Sequence, residues 1–138
     1  LLALDRIVDE GSDGYATIAK MKKASLLIDK GLSDEGLSIY LDLERNAVDQ
    51  SFRDIATILY VLNSMDKIAP ETLLKKIESL ENSKVWQSSA LELKAFIFLK
   101  NNNKKLAKET FQSILNLKTS PSSLSTRARN MIEYLKEE

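Results

Sequence analysis

Residues 91–117 read LELKAFIFLKNNNKKLAKETFQSILNL, two patterned arms around three consecutive asparagines. Leu91, Ala95 and Phe98 recur at steps of four and three, so a helix carries them on one face. Ala107, Phe111 and Ile114 repeat those steps in the second arm. Asn101, Asn102 and Asn103 break the periodicity and favour turn backbone. The stretch therefore predicts two antiparallel helices joined by a tight turn. Small side chains at Ala95 and Ala107 let the backbones approach, and larger neighbours fill the space beside them.

The same design extends to both sides. All four glycines, Gly11, Gly14, Gly31 and Gly36, fall in the first 36 residues, and only Pro70 and Pro121 punctuate the remainder. A long glycine-free stretch with helical periodicity predicts an all-α chain. Leu4, Ile7 and Val8 predict a helical lead-in over Leu1 to Glu10, stopped by Gly11-Ser12-Asp13-Gly14, with Asp13 as N-cap of the next helix. That helix spans about Tyr15 to Lys30 and turns Ile18, Met21, Ala24, Leu27 and Ile28 inward. Gly31 suits a left-handed C-terminal position. Ser33 is expected to cap a second helix whose inward residues are Gly36, Leu37, Tyr40, Leu41 and Leu43.

A third helix is expected from about Asp49 to Met65, with Phe52, Ile55, Ala56, Leu59 and Leu62 as its buried face. Ile58 and Val61 widen the stripe, which predicts that this helix is the most enclosed. Pro70 suits the first turn of a fourth helix ending near Glu81, with Leu73, Leu74, Ile77 and Leu80 apolar. The hairpin of residues 91–117 supplies the fifth and sixth. Pro121 starts a seventh, with Leu124, Ala128, Met131, Ile132 and Leu135 in its stripe. The expected organisation is a lead-in or linker over 1–12 and one domain over 13–138, a size suited to a single core.

Composition excludes several function classes. Lys plus Arg and Asp plus Glu number 20 each, so no net charge draws the chain to nucleic acid or anionic lipid. No cysteine and no histidine are present. Disulfides, thiolate metal sites, His-based triads and the commonest general base are thereby unavailable. Glu71, Glu78 and Glu81 do not converge with any nucleophile, and Asp5, Asp9 and Glu10 lack metal-loop spacing. The expectation is no enzyme, no cofactor and no metal, with a protein or peptide as partner. No run of about 18 apolar residues occurs. The opening LLAL is too short for the apolar region of a signal and reads as the continuation of a helix.

Internal repetition sharpens the reading. Ala24 and Ala95, Gly36 and Ala107, Tyr40 and Phe111, and Leu43 and Ile114 are each 71 residues apart. Ile77 and Phe111 are 34 apart, the tetratricopeptide period, and two such periods plus a three-residue insertion give the longer separation. Over residues 15–138 the chain resembles a tetratricopeptide-repeat domain: a right-handed array of about three antiparallel helical hairpins plus a closing helix. The hallmark Trp, Gly and Pro positions of that repeat are mostly absent. The middle repeat aligns through Phe52, Ile55, Ala56 and Leu59 when its first helix is slid, and a plain antiparallel bundle is the alternative. Gly14-Tyr15-Ala16, Arg53-Asp54-Ile55-Ala56 and Arg127-Ala128 carry a narrower resemblance. It is to a family of uncharacterised tetratricopeptide-like proteins of alphaproteobacteria, of Rickettsia type. That family is similar to the ancillary translocon subunit of bacterial inner membranes. The resemblance implies a membrane helix upstream of Leu1, repeats on the periplasmic side and no catalytic residue. A cytoplasmic location is the alternative.

Stacked hairpins line a concave face with the first helix of each repeat. That face is expected to show Ile18, Met21, Lys22 and Ser25, then Arg53, Asp54, Thr57 and Tyr60, then Ser89, Glu92, Leu93 and Phe96. Met21, Ser25, Arg53, Thr57, Tyr60, Glu92 and Phe96 are the candidate partner-binding residues, a polar, aromatic and Met mixture suited to an extended peptide. The alternative is that the closing helix folds over this face. A clamp for an acidic C-terminal tail is not expected, because Asp54 has the wrong sign for a carboxylate ligand. Lys20, Lys22 and Lys23, and Lys104, Lys105 and Lys108, read as solvated helix surface. Arg53 with Asp54, and Arg127 with Arg129, serve either a ligand or an ion pair tying the third helix to the seventh. Trp86 is either an interface anchor or a plug between neighbouring repeats. The second functional reading is a structural subunit that self-associates or assembles into a membrane complex through such a non-groove surface.

Overall fold

A computed structural model describes residues 1–10 and 13–136, and among them every regular element is helical. The chain divides into two compact units, residues 1–64 and 65–138. The first holds α1 (Leu2–Glu10), α2 (Asp13–Asp29), α3 (Ser33–Asn46) and α4 (Gln50–Ser64). The second holds α5 (Pro70–Ile77), which runs on as a 3-10 turn (Glu78–Asn82), then α6 (Gln87–Lys100), α7 (Lys104–Asn116) and α8 (Ser122–Lys136). In each unit every helix packs against the next one in sequence.

The 71-residue repeat reaches the backbone hydrogen bonds. At the α2–α3 turn Gly31 has φ +85°, the Leu32 N–H donates to the Leu27 carbonyl at 2.8 Å, and the Gly31 N–H donates to Ile28 at 3.0 Å. At the α6–α7 turn Asn102 has φ +58°, the Asn103 N–H donates to Phe98 at 2.9 Å, and the Asn102 N–H to Leu99 at 3.0 Å. Each of these residues is 71 beyond its counterpart. Both turns are the paired-bond helix ending that needs one left-handed residue, a conformation glycine takes freely and asparagine tolerates. Asn103 adds a cap, accepting the Leu106 N–H on Oδ1 at 3.2 Å.

The hairpin interiors repeat as well. Ala24, Tyr40 and Leu43 are buried in the first unit, and Ala95, Ala107, Phe111 and Ile114 in the second. Gly36 marks the tightest approach: a Cβ there would lie 2.7 Å from the Ala24 carbonyl oxygen and 2.7 Å from Ile28 Cγ1. Lys23 pairs with Asp5 of α1 at 2.7 Å. Lys94, its counterpart 71 residues on, pairs with Glu81 of the 3-10 turn, also at 2.7 Å. Both pairs are partly exposed and contribute at most about 1 kcal/mol each.

Several expectations need correction. Ser33 does not cap α3; it is the first helical residue, and Leu32 at the N-cap position makes no side-chain bond. Asp13 likewise lies inside α2 rather than before it. The expected stop at Gly11-Ser12 lies outside the described residues. The fourth helix gives way to a 3-10 turn after Ile77 while still burying Leu73, Ile77 and Leu80.

The largest correction concerns α4. Its buried residues are Ala56, Thr57, Tyr60, Val61 and Ser64, whereas Leu62 is 55% exposed. Helices that are apolar all round carry no unique face, so pattern alone cannot orient them. The helix with no exposed residue from Gln87 to Leu99 is α6, so α6 rather than α4 is the most enclosed. Burial repeats one further spacing of the two hairpins. Fully buried Val61 stands twelve residues before Leu73, as Ala24 stands before Gly36 and Ala95 before Ala107. From Val61 to Ala95 the step is 34 residues, and from Ala24 to Val61 it is three more. The insertion therefore falls between Leu43 and Val61, around the α3–α4 connection. In this register Ala19, Ala56 and Ala90 are equivalent, and all three are buried.

Candidate interaction face

In the first unit the α2 candidates sit at the edge of a small core. Met21 packs with Ile39 and Phe52 onto buried Leu43, Ala47 and Ala56. Ser25 is half-buried, Lys22 is exposed, and Ile18 is 55% exposed. Aliphatic side chains of that size are mostly withdrawn from water, so Ile18 marks open apolar surface.

On α4 the candidates lie on the inward side. The Thr57 hydroxyl donates to the Arg53 carbonyl at 3.1 Å, which satisfies it locally, and Tyr60 is buried. Arg53 is half-buried, and its Nε has no hydrogen-bond partner among the described residues. Asp54 accepts from Gln50 Nε2 at 2.7 Å. Across the helix lies a different set. Ile55, Ile58, Leu59 and Leu62 follow the i, i+3, i+4, i+7 spacing of one helix face. The first three are half-buried and Leu62 is open.

In the second unit Glu92 and Phe96 share one face of α6 but serve different neighbours. Arg127 of α8 donates from Nε to Glu92 Oε2 at 2.9 Å and from Nη2 to Oε1 at 3.1 Å. This fork geometry holds α8 against α6, and the hydrogen bond from Arg127 to Glu92 raises the guanidinium pKa above its ordinary value. The expected partner of Arg127 was the third helix; the observed one is Glu92. The Phe96 ring stands edge-on to Phe111, centroids 5.5 Å apart and planes at 82°. Leu93 is buried and Ser89 half-buried. Leu124, Ala128 and Leu135 bring α8 onto the cluster containing Ala107, Phe111 and Ile114. The outward residues of α8, Arg129, Asn130 and Glu133, are polar and exposed.

Trp86 is half-buried at the N-cap position of α6, where its backbone N–H meets Ser83 Oγ at 3.3 Å. In the corrected register it corresponds to Phe52 and to Tyr15, which is 70% exposed. Of the lysines read as surface, Lys22, Lys104 and Lys105 are exposed, and Lys20, Lys23 and Lys108 are half-buried. Among the described residues no three acidic, His or Cys side chains converge on a point that could hold a metal ion. Among the described residues no helix is long and apolar enough to cross a membrane.

Leu62, which periodicity places on the buried face of α4, is open, and Ile58 beside it is half-buried. The signal was available in the twelve-residue step from Val61 to Leu73, which repeats the steps from Ala24 to Gly36 and from Ala95 to Ala107. Comparison with known protein families, with curated proteins and with solved structures finds no match.

Proposed function

We propose that the chain is a non-catalytic, tetratricopeptide-like interaction module that docks a peptide or protein segment on the open aliphatic face of its first unit. The observation that carries this reading is Leu62, more than half exposed on a helix whose opposite side is buried. Ile18 on α2 occupies the position equivalent to half-buried Ile55 on α4 and is as open as Leu62. Isolated exposed leucines are ordinary, but a stripe at helical spacing, with Ile18 exposed on a second helix of the same unit, suits an apolar segment of a partner. The repeated turns, the equivalent buried alanines and the 34-residue step support the repeat assignment.

On this reading Met21 and Ser25 border the face. Arg53, Thr57 and Tyr60 give way to Ile55, Ile58 and Leu62, which lie on the opposite side of α4. Glu92 and Phe96 act as supports for α8 and α7. The resemblance carried by Gly14-Tyr15-Ala16, Arg53-Asp54-Ile55-Ala56 and Arg127-Ala128 extends the proposal to a module tethered at a bacterial inner membrane, repeats outward.

A photo-reactive amino acid placed at Leu62 of the full-length protein in cells tests the reading, with the exposed α7 position Lys105 as control. A discrete heterologous adduct at Leu62 and none at Lys105 is the expected result. Identical adducts at both positions, no adduct at either, or adducts only with a second copy overturns it.

A further inference from the structure

Aromatic residues stand at the starts of α2, α4 and α6, each four residues before a buried alanine. Tyr15 precedes Ala19, Phe52 precedes Ala56, and Trp86 precedes Ala90. Tyr15 and Phe52 are each the third residue of their helix. Two of the three are drawn out of water: Phe52 and Trp86 are half-buried. Tyr15 is 70% exposed. One turn along, Ile18 is open where its equivalent Ile55 is half-buried.

The chain itself shows what covers this position. Phe52 packs against the cluster of Leu43, Ala47 and Ala56. Leu43 lies in the last turn of α3 and Ala47 is its C-cap, so the cover is a helix end with leucine and alanine one turn apart. α1 precedes α2 as α3 precedes α4, but it offers no such surface. Leu43 stands eighteen residues before Val61, and eighteen residues before Ala24 stands exposed Arg6. α1 is tied to α2 through the Asp5–Lys23 pair instead. A second copy of the chain has no matching surface in its own α3, where Leu43 and Ala47 are buried. An open tyrosine, with a large apolar ring and a hydroxyl suited to a wet rim, is an anchor for another protein.

We propose that the first turn of α2 docks the apolar end of an α-helix from a partner protein, one carrying a leucine and a small residue a turn apart as α3 does. Tyr15 is the anchor and Ile18 lies beside it. The contact continues, across two molecules, the packing that Phe52 makes within the chain. It needs Tyr15, which the α4 face does not, and so stands or falls separately from docking at Leu62.

A fluorescein-labelled peptide with the sequence of residues 33–48, titrated with the full chain and read by anisotropy, tests the proposal. Saturable binding is expected, weakened about tenfold or more by Tyr15→Lys and kept by Tyr15→Phe. A peptide carrying Leu43→Lys and Ala47→Lys should not bind. Tyr15 is exposed, so both protein variants keep the fold, which circular dichroism verifies. Leu62→Asp should leave the titration unchanged. Light scattering should give the same mass for the parent chain and Tyr15→Lys. No binding, binding unchanged in Tyr15→Lys, equal binding of the lysine-bearing peptide, binding lost in Leu62→Asp, or a dimer that Tyr15→Lys dissociates overturns the proposal.

Discussion

Gly36 and Ala107 occupy the same place in two hairpins yet tolerate different side chains. The reason is the 2.7 Å approach of a Gly36 Cβ to the Ala24 carbonyl oxygen, a backbone atom that cannot swing aside. Gly36→Ala should therefore lose about 1–3 kcal/mol, the range for overpacking a tight contact. Its helix-propensity gain of about 1 kcal/mol offsets only part of a clash at the upper end. Urea denaturation read by circular dichroism checks the sign. A stabilised Gly36→Ala variant would show that the helices are not held this close. Tyr40 and Phe111 form the second such pair. Burial, with a smaller contribution from the nearby Asp29 charge, raises the Tyr40 phenol pKa above its ordinary value. The folded protein thus holds the phenolic proton to higher pH than the unfolded chain. Stability from this group is complete below the ordinary phenol range of about 10 and falls as pH rises above it. Tyr40→Phe, which copies Phe111, should flatten that alkaline loss in a series of melting curves. An unchanged pH profile would show that other groups govern it.

At the scale of elements, the amphipathic helices were the readable ones. α3, α5, α7 and α8 each carry one apolar stripe, and the inward residues named from periodicity include Tyr40, Leu43, Leu73, Ile77, Phe111, Ile114, Leu124 and Ala128, all buried. The turn at Asn101 to Asn103 and the left-handed Gly31 were readable because few residue types accept those dihedral angles. α4 was not readable. Phe52, Ile55, Ala56, Ile58, Leu59, Val61 and Leu62 cover most of its circumference, so the sequence offered two faces and periodicity alone favoured the open one. Tertiary neighbours chose the other, burying Thr57 and Ser64 with their hydroxyls returned to backbone carbonyls one turn back, at 3.1 and 2.6 Å. The cost of that choice is an Arg53 Nε with no partner among the described residues and Leu62 outside. Turning α4 this way places Arg53, Thr57 and Tyr60 together on its inward side.

Across the whole molecule, one hairpin design is used twice with matching turns, matching buried small residues and matching lysine–carboxylate pairs. Val61 and Leu73 keep the twelve-residue spacing of that design after an offset of three residues. The proposed docking face depends on α4 holding Val61 in and Leu62 out. Paired thermal unfolding of Val61→Asp and Leu62→Asp measures this directly. A carboxylate at the fully buried position should cost more than about 3 kcal/mol or prevent folding. The adjacent substitution should stay within about 0.5 kcal/mol of the parent chain. Equal losses, or a greater loss at Leu62, would contradict the open aliphatic face and the function proposed for it.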